Sequence, residues 1–324
     1  MSVNLREVSA DEAEIRLDRW FRRHFPGLTQ GMIEKLCRTG QVRIDGRRAE
    51  AATRLAPGQW VRIPPLPALP SPAKPRKPAD PKAAADLARL ILYQDEAVIV
   101  IDKPAGLPVQ GGPGILRHLD AMLAALQGAE GGERPRLVHR LDQETSGVLV
   151  LARTPGIAAA LARAFRERQV EKTYWAVVIG RPTAPMGRID LPLIRVSGAK
   201  GARSEAAPGE ADAARAVTDY RTRDHAGKLF TWLELAPLTG RTHQLRVHCA
   251  AIGVPILGDA KYAGHAETMP EARLHLHARR LAFPHPHGGM LAIEAPLPPA
   301  MRETFRHLGF TEPKAATPQR TGGT

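Results

Sequence analysis

The amino-acid sequence predicts an α+β protein, with a small mixed unit followed by a larger domain on a mixed, largely antiparallel sheet. Strand-like apolar runs outnumber the helical patterns and often follow one another directly, which favours antiparallel pairing. A proline-rich segment, residues 64–85, separates the two parts of the 324-residue chain. The sequence has no internal repeat, and no apolar run approaches the ~18 residues that a membrane helix needs.

The first unit, residues 1–63, combines two helical patterns with short strands. Ile15–Phe25 places apolar residues at helical spacing, with arginines between them. Thr29 is the predicted cap of a second helix, which runs to Arg38 and is stopped by Gly40. Short strands, one of them entering an Asp-Gly turn, complete the unit. These strands are Gln41–Arg47 and Trp60–Ile63.

The linker, residues 64–85, is predicted to be extended and semi-rigid. It contains eight prolines, and proline fixes φ and donates no backbone hydrogen bond. Four basic residues accompany them: Lys74, Arg76, Lys77 and Lys82. We therefore expect a basic spacer that lets the small unit move before it settles on a surface.

The larger domain, residues 86–310, contains strand-like runs and two helices. The runs are Ile91–Tyr93, Val98–Ile101, Val148–Leu151, Tyr174–Val178 and Leu229–Leu235. One helix should begin at Thr154-Pro155 and run to about Arg168, and another should be capped by Thr242 and run to about Ile252. The Gly-rich charged segment from Val196 to Ala214 lacks periodicity and is predicted to be a mobile loop. The tail, residues 311–324, is predicted to be disordered.

The charge balance indicates a polyanionic partner. The chain has 46 basic and 33 acidic residues, a net charge of +13 and a pI near 10.3. Such a surplus attracts nucleic acid at long range, although a solvated basic surface would give the same composition. Two distant cysteines, Cys37 and Cys249, favour a reducing compartment. With no apolar leader-like segment near Met1, we expect a cytoplasmic protein without membrane association.

Several familiar kinds of site are disfavoured. There is no glycine-rich phosphate loop, dinucleotide fingerprint or serine nucleophile elbow. His275 and His277 would share one face of a strand, but neither a cysteine nor a close carboxylate joins them. His243 and His248 lie in a predicted helix without the glutamate of a metalloprotease motif. We therefore expect no metal.

Three polar segments are the candidates for chemistry. Residues 137–147 place Asp142 beside an arginine and before a buried strand. Residues 171–177 carry Tyr174 on a strand, and residues 240–248 place basic residues at a helix start. Each segment alone is a weak signal, and a loop with a capping aspartate explains the first equally well.

Together, these segments resemble the RluA/RluC/RluD branch of the RNA pseudouridine synthase family. The matching blocks are Asp102-Lys103-Pro104-Ala105-Gly106-Leu107, His139-Arg140-Leu141-Asp142 with Thr145-Ser146-Gly147, Lys172-Thr173-Tyr174, Arg241-Thr242-His243-Gln244-Leu245-Arg246-Val247-His248, and Leu257-Gly258-Asp259 with Lys261-Tyr262. They occur in the family's order over nearly the whole chain. The first unit resembles the S4-like RNA-binding domain that this branch often carries.

Within this branch, the sequence is most similar to the RluC type. The segments that indicate this are Val61-Arg62-Ile63-Pro64-Pro65, Ile91-Leu92-Tyr93-Gln94-Asp95 and Gly111-Gly112-Pro113-Gly114. Two segments depart from common family patterns. Gln110 stands where many members have histidine, and Gln143-Glu144 follow Asp142 where a basic residue and aspartate are common. Neither departure affects the expected catalytic set.

The resemblance implies an isomerase that converts uridine to pseudouridine without a cofactor. It implies that Asp142 is the catalytic carboxylate, acting either as a nucleophile at C1′ or as a base at the ribose 2′ proton. Arg246 is implied as the cation paired with Asp142, and Tyr174 as the ring that stacks on uracil with its hydroxyl near C5. These three residues form the predicted catalytic set.

Further residues are expected to contact RNA. The resemblance suggests that Arg140 extrudes the target nucleotide or fills its vacated place, and that Leu245 packs against the base. Lys172 and Lys103 are expected to be RNA or structural contacts. Four arginines of the first unit complete the predicted RNA-binding set: Arg16, Arg19, Arg38 and Arg43.

Large-subunit ribosomal RNA is the expected partner, and a monomer is the expected state. Three alternatives remain open at this point. One is a RluD-type or transfer-RNA enzyme, which would differ in the chosen site and keep the same catalytic residues. Another is a catalytically idle RNA-binding or ribosome-assembly factor. A metal hydrolase would rest on the histidines alone.

Overall fold

The structure, a computed structural model, describes residues 4–25, 27–66, 81–112, 115, 117–127, 133–198, 201–263 and 273–321. The chain divides into two compact units, Met1–Pro78 and Ala79–Thr324. Within the described ranges, no helix is long and apolar enough to cross a membrane. Residues 113 and 114 of the predicted glycine-rich turn, and residues 67–80 of the predicted linker, lie outside these ranges.

The first unit is a small α+β fold. Its elements are β1 (Asn4–Glu7), α1 (Leu17–His24), α2 (Gln30–Arg38), β2 (Arg43–Ile44), β3 (Arg47–Arg48) and β4 (Trp60–Ile63), with a 3-10 turn at Ala10–Glu12. The strands form an antiparallel sheet in the order β1-β4-β2-β3. The predicted helices and strands are confirmed within a few residues.

Local sequence signals explain the elements of this unit. Trp20 and Phe21 of α1 are fully buried in the core. Thr29 caps α2 by accepting a hydrogen bond from the backbone N–H of Met32. The Asp45-Gly46 pair takes positive φ angles of 48° and 78°, which a two-residue hairpin of this twist requires.

The second unit is built on a large sheet with helices against it. Its helices are α3 (Pro81–Ala88), α4 (Leu119–Met122), α5 (Pro155–Arg166), α6 (Gln244–Ala251) and α7 (Pro299–Leu308), with a 3-10 turn at Leu123–Leu126. Its strands are β5 (Ile91–Gln94), β6 (Val98–Lys103), β7 (Arg136–Leu137), β8 (Ser146–Ala152), β9 (Glu171–Ile179), β10 (Met186–Asp190), β11 (Leu193–Gly198), β12 (Gly201–Ala206), β13 (Val217–Ala226), β14 (Phe230–Pro237), β15 (Leu276–Pro284), β16 (Met290–Glu294) and β17 (Gln319–Thr321).

The main sheet is mixed and largely antiparallel, as the sequence predicted. Its path is β10-β13-β14-β9-β15-β8-β6-β5, with β16 beside β15, β17 beside β16 and β7 beside β8. Among the described strands, only β15 and β8 pair in parallel. This pairing places the start of β8 two strands away from β9, with β15 between them. The start of β8 and strand β9 carry two of the three polar segments that the sequence singled out.

Apolar side chains cover both faces of this sheet. One core lies beneath α5 and contains Val148 and Val150 of β8 with Phe283 of β15. The core on the other face contains Leu149 and Leu151 of the same strand. Because residues of a strand alternate between faces, the continuous apolar run of β8 follows from burial on both sides. All seven residues of β8 are buried.

Four sequence expectations are wrong or imprecise. The predicted loop at 196–214 contains part of the antiparallel hairpin β11–β12. The predicted disordered tail is described as far as Thr321 and adds β17 to β16. The end of the predicted extended linker forms α3. The N-cap of α6 is His243, one residue after Thr242.

Candidate active site

The three polar segments meet around one cavity in the second unit. The first forms the loop that enters β8, the second lies in β9, and the third forms the start of α6. The cavity has a volume of about 940 Å³. Its lining includes Asp142, Tyr174 and Arg246, the three predicted catalytic residues. Arg140, Lys172 and Leu245 also line it.

A close contact between β8 and β15 fixes where the Asp142 loop ends. Gly147 has φ +110°, and a Cβ atom there would lie 2.8 Å from the backbone N and C of Ala278. Only glycine permits this approach, which explains its place after Thr145-Ser146. The side chain of Ser146 also contacts Nδ1 of His277 on β15, at 2.9 Å. The two strands therefore hold the end of the loop in register.

The buried guanidinium of Arg246 pairs with Asp259. Its Nε and Nη2 donate to the two carboxylate oxygens of Asp259, at 2.7 and 2.5 Å. The arginine side chain is 7% exposed and that of Asp259 is 0% exposed. Within the described part of the chain, no ion pair joins Arg246 to Asp142. The expected Arg246–Asp142 pairing is therefore corrected, because a bidentate carboxylate already satisfies that side of the guanidinium.

Asp142 nevertheless lies close enough to affect Arg246 electrostatically. Burial lowers the pKa of Arg246, but the hydrogen bonds and charge of Asp259, with the charge of Asp142, raise it overall. The guanidinium thus remains charged beside the cavity. The guanidinium can attract an anionic group in the cavity while Asp259 holds the guanidinium in place.

Tyr174 presents a protonated phenol to the cavity. Burial, with the negative charge of Asp142, raises the pKa of its hydroxyl. At neutral pH the hydroxyl is therefore a hydrogen-bond donor, and it can accept a proton only after losing its own. The ring packs beside Leu245 in an apolar cluster at the junction of β9 and α6.

The two lysines have different environments. Lys103, expected to be an RNA or structural contact, is completely buried. Its Nζ donates to the backbone oxygens of Pro104, Leu107 and Gln143, each at 2.9 Å. This supports the structural alternative, because the ammonium holds the residue that follows Asp142. Lys172 lines the cavity, and its Nζ is 3.4 Å from the backbone oxygen of Thr239.

His139 and Arg140 point to different environments. The ring of His139 stacks on Phe165 at 4.6 Å, and its Nε2 accepts a hydrogen bond from the backbone N–H of Val150. Burial lowers the pKa of His139 to about 3, so the ring is neutral. The side chain of Arg140 is exposed at the cavity. His139 thus anchors the loop to β8, and the exposed side chain of Arg140 can reach a ligand in the cavity.

The other histidines considered as metal ligands bind protein groups. The ring nitrogens of His275 contact the backbone oxygen of Arg273 and the hydroxyl of Thr304. Those of His277 contact Ser146 and the backbone oxygen of Ala295. These contacts account for His275, just before β15, and for His277, on β15, as buried hydrogen-bonding groups.

The arginines predicted to bind RNA in the first unit differ in availability. Arg19, Arg38 and Arg43 are exposed. Arg43 also donates to the backbone oxygens of Gly40 and Gly46, which orients it along the hairpin. Arg16 forms a bidentate ion pair with Asp18, so its charge is partly neutralised within the unit.

Three residues to which the sequence assigned no role belong to the cavity region. Asp259 holds Arg246 and also accepts hydrogen bonds from the backbone N–H groups of Lys261 and Tyr262. The Tyr262 ring lies 5.1 Å from the Arg246 guanidinium, and its hydroxyl is 2.8 Å from Nδ1 of His243. All three were within quoted sequence blocks. Asp259 and Tyr262 both contact Arg246, and Tyr262 links His243 to them.

Comparisons with known proteins agree with this geometry. Residues 97–251 match the family described as RNA pseudouridylate synthase. The chain is 36% identical over 301 residues to "RNA pseudouridine synthase 4, mitochondrial" of Arabidopsis thaliana; the match covers 81% of this chain and 63% of that protein. It is 33% identical over 320 residues to "Ribosomal large subunit pseudouridine synthase C" of Salmonella typhimurium, covering 95% of this chain and 97% of the relative.

A solved structure shows the same likeness in three dimensions. The human protein called "RNA Pseudouridylate Synthase Domain Containing 4" superposes with a TM-score of 0.60 and 32% sequence identity. The superposition covers 71% of this chain and 97% of the human chain. The likeness therefore extends to the fold of most of this chain.

Proposed function

This chain belongs to the family of RNA pseudouridylate synthases, and from that premise we propose that it isomerises specific uridines of large-subunit ribosomal RNA to pseudouridine. The cavity shared by Asp142, Tyr174 and Arg246 is the observation that carries the proposal. The name of the Salmonella relative, which matches almost end to end, supports the choice of RNA and the RluC-type specificity.

The proposed reaction needs three kinds of group, and the cavity offers each. A carboxylate must act at the ribose, and Asp142 takes that role, as nucleophile at C1′ or as base at C2′. The uracil must be held after its N1–C1′ bond breaks, and the apolar Tyr174–Leu245 wall offers a surface for the ring. Arg246, held by Asp259, supplies a fixed positive charge for the anion that forms.

The target nucleotide must leave its stack before it can enter the cavity. Such extrusion costs a few kcal/mol in a helix. Arg140 is exposed at the cavity and can fill the place that the base vacates in the RNA stack. Lys172 is proposed to contact the RNA backbone beside it.

We propose that the first unit is an S4-like domain that binds flanking RNA. Its exposed arginines, Arg19, Arg38 and Arg43, support this role because guanidinium groups bind phosphate. Arg16 contributes less, since Asp18 already pairs with it. We propose that the enzyme is a cytoplasmic monomer. Both thiols, Cys37 and Cys249, are buried and free, which fits a reducing compartment.

Substrate choice is tested by offering the purified protein three unmodified transcripts: large-subunit ribosomal RNA, small-subunit ribosomal RNA and a transfer-RNA pool. Pseudouridine is mapped at single-nucleotide resolution in each. Site-specific modification confined to the large-subunit RNA is the expected result. Modification of transfer RNA alone would contradict the proposed substrate while leaving the isomerase activity intact.

A further inference from the structure

The proposed reaction leaves one proton without an assigned acceptor. When C5 bonds to C1′, C5 carries both the ribose and its original hydrogen. That hydrogen must leave as a proton, so that the electron pair of the C5–H bond restores the C5=C6 double bond. N1, which lost its ribose, gains one proton from solvent, and the reaction is then balanced as an isomerisation. A base must therefore face the uracil ring.

The two side chains already assigned do not fill this role. Asp142 acts at the ribose in either of its proposed roles. Tyr174 holds its own proton, because burial and the charge of Asp142 raise its pKa. A neutral group with a free lone pair is needed beside them.

His243 lies in the cavity wall at the N-cap of α6. Its backbone has φ +55° and ψ 17°, a left-handed conformation that is uncommon outside glycine, although asparagine, aspartate and histidine adopt it more often than other residues. Such strain costs on the order of 1 kcal/mol and recurs at functional sites. The neighbouring Gln244 provides the local hydrogen bonds of this turn, accepting from the backbone N–H of Arg241 and from the hydroxyl of Thr239.

The imidazole of His243 is held by only one of its nitrogens. Nδ1 is 2.8 Å from the hydroxyl of Tyr262, and the two rings meet edge to face. The same hydroxyl accepts a hydrogen bond from the backbone N–H of Ser204 on β12, at 3.1 Å. In the described residues, Nε2 has no hydrogen-bond partner. The ring is therefore oriented from one side and open on the other.

We infer that His243 is the base that removes the C5 proton, with Tyr262 as the residue that positions it. In this arrangement Nδ1–H donates to the Tyr262 oxygen, which has two lone pairs and so accepts from Ser204 as well. Nε2 is then the unprotonated nitrogen. It takes the proton from C5, becomes an imidazolium with both nitrogens protonated, and returns the proton to solvent. The inference rests on the proposed function.

The charges around His243 keep it available as a base. Burial lowers its pKa below the usual 6.5, as do the positive charges of Arg246 and Lys261. The carboxylates of Asp142 and Asp259 raise the pKa, but by less than burial and the two positive charges together lower it. The imidazole is thus neutral at pH 7. It becomes charged, and unable to accept a proton, only below pH 6.5.

The experiment uses the full-length protein in single-turnover reactions with RNA containing either uridine or [5-²H]uridine. His243→Asn is the main variant, because asparagine tolerates the left-handed backbone and can still donate to Tyr262. Its rate should fall by about 10²–10⁴-fold, with a larger C5 deuterium isotope effect than the wild type. The acid limb that His243 gives to the wild-type pH–rate profile, below pH 6.5, should disappear.

Two further variants separate chemistry from folding. His243→Gly accommodates the same φ and leaves room for added imidazole, which should restore part of the rate. Tyr262→Phe removes only the positioning hydroxyl and should lose less activity than His243→Asn. All variants are compared with the wild type by thermal unfolding, so that a misfolded variant is recognised. If one His243 variant misfolds, the other His243 variant carries the test.

Three results would overturn the inference. One is retention of the wild-type rate by His243→Asn. Another is a loss of rate in both His243 variants with no change in isotope effect and no response to imidazole, which is the signature of a structural role. If the wild type itself forms no pseudouridine, the proposed function fails and this inference falls with it. The wild-type reaction therefore distinguishes the two failures.

Discussion

Arg246 and Asp259 show how one buried ion pair shapes the site. The pair is bidentate and almost fully buried, so each charge depends on the other for its solvation. Four donors converge on Asp259: two guanidinium nitrogens of Arg246 and the backbone N–H groups of Lys261 and Tyr262. Its loss should loosen both the arginine and the loop.

Asp259→Asn should therefore destabilise the protein by about 3–5 kcal/mol, because it leaves a buried guanidinium without its counter-charge. Catalysis should fall as well, since Arg246 is no longer fixed. Equilibrium unfolding in urea and single-turnover kinetics measure the two effects. The matched control is Asp219→Asn, which breaks the exposed bidentate pair with Arg188 and should change stability little. Equal effects of the two substitutions would contradict the account.

Tyr174 gives a second test at one side chain. Because its pKa is raised, its phenol should remain protonated throughout the working pH range. We expect the single-turnover rate to show no basic limb from this residue between pH 7 and 10. Tyr174→Phe should bind RNA normally and react more slowly, with an unchanged profile at high pH. A basic limb that disappears in this variant would show that the tyrosinate takes part.

The contact between β8 and β15 is the structural element on which the Asp142 loop depends. Gly147→Ala combines a positive φ of 110° with a clash against the backbone of Ala278. We expect a loss of at least about 2 kcal/mol in stability. Gly156→Ala is the control: a Cβ in the first turn of α5 meets nothing within 4 Å, so it should stabilise by about 0.4–1 kcal/mol. Thermal unfolding of both variants checks the contrast.

The same pair of strands should make stability depend on pH. Burial lowers the pKa of His277 to about 4 from 6.5, despite a hydrogen bond to Ala295 that raises it. Between these values the unfolded chain binds more protons than the folded one, so stability falls as the pH is lowered from 6.5 to 4. At about 1.4 kcal/mol per pKa unit, His277 contributes about 3 kcal/mol of this loss.

His277→Gln should flatten this dependence, measured by urea unfolding at a series of pH values. The matched control is His307→Gln on the exposed face of α7, which should leave the curve as it is. A wild-type stability that stays constant from pH 6.5 to 4 would contradict the assignment of a neutral, buried His277.

The elements that carry the site were predictable from sequence because local signals mark them. The apolar run of β8, the Thr154-Pro155 start of α5 and the motif around Asp142 are each readable within about ten residues. The hairpin β11–β12 and strand β17 were missed because neither has apolar alternation. The two strands of the hairpin pair with each other, and β17 pairs with β16. Such pairing outweighs weak local propensity.

The identities of the site residues were predictable from the sequence, but the contacts between them were not. Family blocks named Asp142, Tyr174 and Arg246, and the structure places all three on one cavity. The partner of Arg246 lies 13 residues away across a loop, and no spacing rule reveals such a pair. Likewise, the buried state of Lys103 follows from the carbonyl groups that surround it in space.

Over the whole chain, the surplus of positive charge should govern RNA affinity. Its net charge of +13 predicts binding that weakens as salt increases, because RNA releases counterions when phosphates are neutralised. Replacing Arg19, Arg38 and Arg43 together by alanine removes three exposed charges from the first unit. If each contacts a phosphate, the slope of log affinity against log salt should fall by about 2–3.

That triple variant should keep its single-turnover rate at saturating RNA, because the cavity residues all lie in the second unit. Filter binding over a salt series gives the slope. The control replaces Arg181 and Arg306 by alanine, two exposed arginines of the second unit that do not line the cavity. An unchanged slope in the triple variant would remove the first unit from the RNA interface.

The decisive measurement is the single-turnover yield of pseudouridine in large-subunit ribosomal RNA with Asp142→Asn beside the wild type. Asparagine keeps the size of the side chain and removes the carboxylate, and RNA binding and thermal unfolding of both proteins are measured in parallel. We predict that the variant folds, binds the RNA and forms no pseudouridine at sites that the wild type modifies. Pseudouridine formation by Asp142→Asn at the wild-type rate would show that the chemistry does not depend on this carboxylate.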